Sequence, residues 1–200
     1  MRRIVVALAL SMWAMSTLMA QSAATDTGPG FAVPLQFDAA AIGQAGSLNG
    51  MIFNASIYID EWTTDQQVLD FVDILKKNGQ DGLVKAFGKT SDVGRLTRSD
   101  ATGSAFRYAR SWPAKGGNRQ IVMVTDRPMS FGEAYSKGNS REYKFAIVVL
   151  QVDSSGSGTG TICGACKIQF NKNNELKIEN YLQKPIRLAN VRLVKSGNKE

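Results

Sequence analysis

Cys163 and Cys166, the only cysteines in the chain, stand three residues apart in TICGACKIQF. That spacing could serve a dithiol redox pair, half a zinc site, a disulfide, or two small residues in a strand. A redox pair needs its first cysteine at a helix N-terminus, where the dipole lowers the thiol pKa. Here KIQFNKNN follows, which reads as strand and turn. A structural zinc takes about four ligands, and the chain has no histidine and no third cysteine. Read as one extended strand, residues 158–170 hold the two Cα atoms about 10 Å apart, beyond disulfide reach. A tight turn at Gly164-Ala165 would bring them together, and an oxidising compartment would then favour pairing. Because SSGSG just upstream already supplies a turn, the straight strand is preferred, and a Cys163–Cys166 disulfide is not favoured.

Without histidine, neither a Ser-His-Asp nor a Cys-His constellation can be built within this chain. There is no G-x-S-x-G, no phosphate-binding glycine loop and no dinucleotide fingerprint. Carboxylates are what remain. Asp126 and Glu133 flank VTDRPMSFGEAY, and two carboxylates at a suitable separation can act as acid and base. Beside Arg127-Pro128, however, Asp126 more simply accepts turn hydrogen bonds or pairs with an arginine. No residue is therefore assigned a catalytic role, and no cofactor or metal is implied. The surface singled out for binding is this loop and its neighbours: Arg107, Tyr108, Arg110, Asp126, Arg127, Phe131, Glu133 and Tyr135. The plainer alternative is a packed connection with Phe131 and Tyr135 as aromatic plugs.

The elements that must position these residues are mostly strands. MIFNASIYIDEW alternates, with Phe53, Ala55, Ile57 and Ile59 on one face, as a half-buried strand does. Residues 63–89 are the one convincing helical region. Thr63 or Thr64 can cap it, with Gln66 or Gln67 completing a capping box. Val68, Phe71, Val72 and Leu75 form its apolar stripe. Asn78-Gly79 stops it, and Leu83, Val84 and Phe87 form a second short helix ended by Gly88. Seven strands follow, separated by turn-rich breaks such as SDATGS, PAKGGN and SSGSG. In YKFAIVVLQV both faces are apolar: Tyr143, Phe145, Ile147 and Val149 on one, Ala146, Val148, Leu150 and Val152 on the other. Both faces must be covered. One helix covers one face, so the other meets the same sheet curled into a barrel, the N-terminal lead-in, a partner chain or an apolar ligand.

The chain opens with MRRIVVALALSMWAMSTLMAQSAAT: basic, then apolar, then small, the order of a secretory signal. Residues 1–24 are read as that signal, 25–50 as an extended lead-in with an edge strand at Phe31–Phe37, 51–195 as a single α+β domain and 196–200 as a tail. Export to a periplasmic or extracellular location is expected, with no transmembrane anchor in the mature chain. Losing Arg2 and Arg3 takes the formal charge from +7 to +5, a moderately basic balance. No nucleic-acid motif is present.

The stretches RYARSWP, IVMVTDRPMSFGEAY, YKFAIVVLQVD, GTGT and ELKIENYLQKPIRLANVR resemble a group of uncharacterised secreted bacterial proteins, with TDRP and IENY…PIRL the most specific parts. The resemblance covers residues 51–193 and implies a single exported domain, with no activity, substrate or cofactor to carry over. The expected fold is a mostly antiparallel, strongly curved or barrel-like sheet of about seven to eight strands packed on one main helix. The expected function is that of an exported, non-enzymatic module binding a small apolar or anionic ligand or a protein partner. The alternatives are a structural or interaction protein with a filled core, and a carboxylate-based hydrolase.

Overall fold

A computed structural model describes residues 30–98, 101–129, 142–181 and 184–197. The proposed signal segment lies outside them. The strands are β1 (Leu35–Ile42), β2 (Ile52–Ile59), β3 (Gly94–Arg98), β4 (Ala101–Phe106), β5 (Tyr108–Pro113), β6 (Arg119–Val124), β7 (Phe145–Val152), β8 (Gly158–Phe170), β9 (Leu176–Asn180) and β10 (Ile186–Lys195). One helical region, α1 (Asp65–Phe87), connects β2 to β3. Every strand pairing is antiparallel, in the order β4-β3-β2-β1-β10-β8-β7-β6-β5, with β9 on β8. The two ends of that order, β4 and β5, are consecutive in the chain. The sheet therefore curls into a nearly closed barrel. Among the described residues no helix is long and apolar enough to cross a membrane.

Ten strands stand where seven or eight were expected. One addition is β1. The expected short edge strand at Phe31–Phe37 is instead a full strand over Leu35–Ile42, bonded on one side to β2 and on the other to β10. Its Leu35, Phe37, Ala39 and Ala41 are buried in the interior. Its alanines blur the apolar–polar alternation that marks a strand. The other addition is β4, whose first residues lie in what reads as turn sequence.

The double-sided apolar pattern of β7 is satisfied on both sides. Ala146, Val148, Leu150 and Val152 face the barrel interior with Ile57, Phe106, Ile121, Met123, Ile162 and Leu188. Phe145 and Ile147 face outward, under α1, with Phe71, Leu75, Leu83 and Phe87. Each such aliphatic side chain contributes about 1.5–3 kcal/mol on full burial. The interior is filled along its length. Leu48, from the β1–β2 connection, and Met129, from the chain after β6, pack on the interior cluster. From the other end Phe31, Val33, Trp62 and Leu193 pack on it, with Trp62 Nε1 donating to the Phe31 carbonyl at 3.2 Å.

The helix starts as its sequence dictates. Thr64 is the N-cap, and a reciprocal capping box joins it to Gln67. At Gly79 the backbone leaves the helical region, at φ 63° and ψ −161°, so α1 is two helical segments meeting at a corner. Gly82 lets them cross closely: a Cβ there would lie 2.3 Å from Asn78 Cβ. The corner aims Phe71 and Phe87 at one another, edge to face at 4.9 Å, and Phe87 at Phe145 at 6.1 Å.

Alanine is normally the better helix former, yet Gly79→Ala should destabilise the fold by about 1–3 kcal/mol, because that backbone conformation is nearly glycine-only. Equilibrium denaturation checks this: an unchanged or higher urea midpoint would contradict the corner.

Candidate functional site

Of the described members of the proposed surface, Arg107 and Asp126 meet at the seam where β4 becomes β5. At Phe106 the strand still serves β3's side, its carbonyl accepting from Val93 N–H at 2.9 Å. One residue later Arg107 N–H donates to the Val124 carbonyl of β6 at 2.8 Å. The Phe106 side chain points into the barrel, fully buried. The Arg107 guanidinium spans the seam instead. Its Nε donates to Asp126 Oδ2 at 3.1 Å, and its Nη1 donates to the Thr90 carbonyl at 2.8 Å and to Asp92. Asp126, just past β6, is thereby held in an ion pair, as the arginine-pairing reading of that residue anticipates.

The other named residues turn elsewhere. Arg110 donates to the Thr63 carbonyl at 2.7 Å and pairs with Asp65 at the start of α1. Tyr108 packs on the cluster under the helix. Burial pushes its phenol pKa well above the ordinary tyrosine value, and nearby Arg110 opposes the shift only in part. Arg127 is exposed, and its carbonyl accepts from the buried Thr125 hydroxyl. Phe131, Glu133 and Tyr135 lie outside the described residues. Arg107 and Asp126 are thus brought together, Tyr108 and Arg110 stand two residues apart on the outer face of β5, and Arg127 is exposed beyond β6.

Two threonines carry seam contacts that sequence reading assigned to other roles or passed over. Thr63 reads as an alternative helix cap, but it is buried, and its hydroxyl accepts from Ala109 N–H at 2.9 Å. Its own N–H donates to the Ala109 carbonyl at 2.9 Å, so it serves as a one-residue strand beside β5. Thr125 extends the β6–β7 ladder by one step, its hydroxyl accepting from Ala146 N–H at 2.8 Å. The sequence signal for both was weak: a hydroxyl next to a polar or charged run looks like a cap or a turn.

The cysteines correct the straight-strand expectation. Between Phe145↔Cys166 and Ile147↔Cys163, β7 advances two residues while β8 advances three. That is a β-bulge at Gly164-Ala165. It shortens the Cys163–Cys166 Cα separation to 6.0 Å, and the two cysteines form a disulfide. The extra residue also brings both sulfurs to the face under α1, where Cys166 is buried and Cys163 partly so. The bulge carbonyls are used: Gly164 accepts from Met129 N–H at 2.8 Å and Ala165 from Tyr181 N–H at 2.9 Å.

Two hollows open on the surface. One, of about 600 Å³, lies in the angle of α1, floored by Phe71, Ile74 and Ala86 and walled by Asp81, Lys85 and Lys89. The other, of about 280 Å³, separates Gly30 and Phe31 from Pro113–Arg119. Neither reaches the barrel interior. Among the described residues no three His, Cys, Asp or Glu side chains converge as a metal site would need. Comparison with protein-family models, curated proteins and solved structures yields no match.

Two outcomes test this geometry. Thiol titration of the denatured, unreduced protein should find no free thiol, and two would show that the bulge does not form. Tyr108 should stay neutral until the fold is lost, because its folded pKa is raised. Its stabilising effect is then complete below the ordinary tyrosine pKa of about 10 and declines above it. Alkaline absorbance titration of Tyr108→Phe beside the parent reads this directly: a non-cooperative ionisation near the ordinary value, absent from the variant, would contradict it.

Proposed function

We propose that this protein is an exported, non-enzymatic module that acts through its outer surface rather than by enclosing a small ligand. The observation that carries this reading is the filled barrel. Phe37, Ile57, Phe106, Ile121, Met123 and Leu150 meet inside it with no measurable exposure. A carrier barrel instead keeps a cavity of roughly 300–1,000 Å³. The face of β7 that no helix covers is the one inside this filled barrel, and its other apolar face lies under α1.

Two features support export to the periplasm or the cell exterior. One is the basic, apolar, small-residue order of residues 1–24. The other is the Cys163–Cys166 disulfide, since such bonds persist in oxidising compartments. The carboxylate-hydrolase alternative is weakened at its first residue, because Arg107 engages Asp126 at 3.1 Å.

Native mass spectrometry of protein purified from its own export compartment tests the reading. A bare polypeptide mass is expected, and a stoichiometric small molecule would overturn it in favour of a carrier.

A further inference from the structure

A row of cations runs along the outer wall of β10, between β1 and β8. Arg187, Arg192 and Lys195 are exposed, and among the described residues nothing pairs with them. Their spacing, five residues and then three, would throw successive side chains to opposite faces of a regular strand. Two irregularities undo this. Arg187 stands opposite Ile42, Arg192 opposite Asp38 and Lys195 opposite Gln36, with a register shift inside each interval. In the first, Asn190 takes the left-handed φ of 52°. Ile42, Asp38 and Gln36 all lie on the outward face of β1, so the three cations share that face, over about 20 Å of strand. Bulges commonly re-aim side chains in this way.

One acid stands in the row, Asp38 opposite Arg192; among the described residues it makes no ion pair and accepts instead from Ser56 Oγ at 2.8 Å and from Gln36 Nε2 at 3.3 Å. On the helix side Lys77, Lys144 and Lys167 are paired with Asp73, Asp81 and Glu142, while Lys85 and Lys89 make no ion pair among the described residues.

Bare aliphatic side chains are interleaved with the cations. Val194, between Arg192 and Lys195, is 56% exposed. Ile52 is 69% exposed and stands opposite Ile42, itself opposite Arg187. Met51, the next residue along, is 48% exposed. A soluble polyanion would gain from the charges and nothing from the aliphatic tips. A lipid interface takes both, with the tips in the headgroup boundary and the cations at the phosphates.

We propose that the β10–β1–β2 wall seats the protein on an anionic phospholipid surface. This rests on the surface-acting reading above and names the class of partner.

Sedimentation of the purified protein with phosphatidylcholine vesicles, with and without about one-third phosphatidylglycerol, tests it. Binding is expected only to the anionic vesicles, and it should be lost at high salt. The triple variant Arg187→Glu, Arg192→Glu, Lys195→Glu should partition on the order of 100-fold more weakly. Its glutamine counterpart, a smaller perturbation, should weaken binding in the same direction, and near-ultraviolet circular dichroism checks that each variant is folded. Lys85→Glu, Lys89→Glu, Lys172→Glu makes the same change in net charge elsewhere and should bind as the parent does. Ile52→Ser with Val194→Ser should weaken binding while keeping its salt dependence. Equal loss in the α1-side variant would overturn the proposal, as would binding to a soluble sulfated polysaccharide but not to vesicles. If no vesicle binds while the native mass stays bare, this inference falls and the surface-module reading stands. A stoichiometric small molecule other than a phospholipid in the native spectrum would sink that reading whatever the vesicles do.

Discussion

One stretch of chain, residues 101–113, bonds to β3 through its first half and to β6 through its second. That change of partner turns an open sheet into a nearly closed barrel. The bend falls at Arg107, and the guanidinium there is held from three directions by Thr90, Asp92 and Asp126. Two of these belong to the connection from α1 to β3, and the third follows β6. The arginine therefore ties together the two elements that the bend must bring side by side. Its charge is matched locally by Asp92 and Asp126.

Closure makes two unlike environments from one sheet. Inside, side chains from nine strands meet one another. Outside, α1 covers only the strands around β7, and it can do so because its corner at Gly79 folds the helix back along the barrel's curve. The bulge in β8 belongs to the same arrangement. It lets the strand bend as it leaves β7, and beyond that point the freed N–H of Ile168 is taken by the Gln80 side chain at 3.0 Å. The disulfide holds the bend where the covers from β6 and β9 both attach.

Much of this was legible in the sequence, and the parts that were not share a cause. Strong local patterns carried through: the alternation of β2, the capping box at Thr64 and Gln67, the stop at Gly79 and the double-sided β7. Each depends on residues within a few positions of one another. β1 was not legible because Ala39, Ala40 and Ala41 carry too little contrast to show which face is inside. The bulge at Gly164-Ala165 was not legible because it is a mismatch in length between two strands, and no single strand encodes that. The tie at Arg107 was not legible because its partners Thr90 and Asp92 come from another connection. Local rules find elements, and agreement between distant elements fixes how they join.

The barrel's narrowness has a consequence of its own. Ala39, Ala41, Ala55, Ala109 and Ala146 all face inward, against large neighbours such as Phe37, Phe106 and Leu150. Small residues set against bulky ones leave the bore no slack, and they also show where slack could be made. Shortening a bulky member of such a set would hollow out a dry chamber inside a shell whose seam, helix and disulfide were left alone. The fold is a natural blank for engineering a receptor.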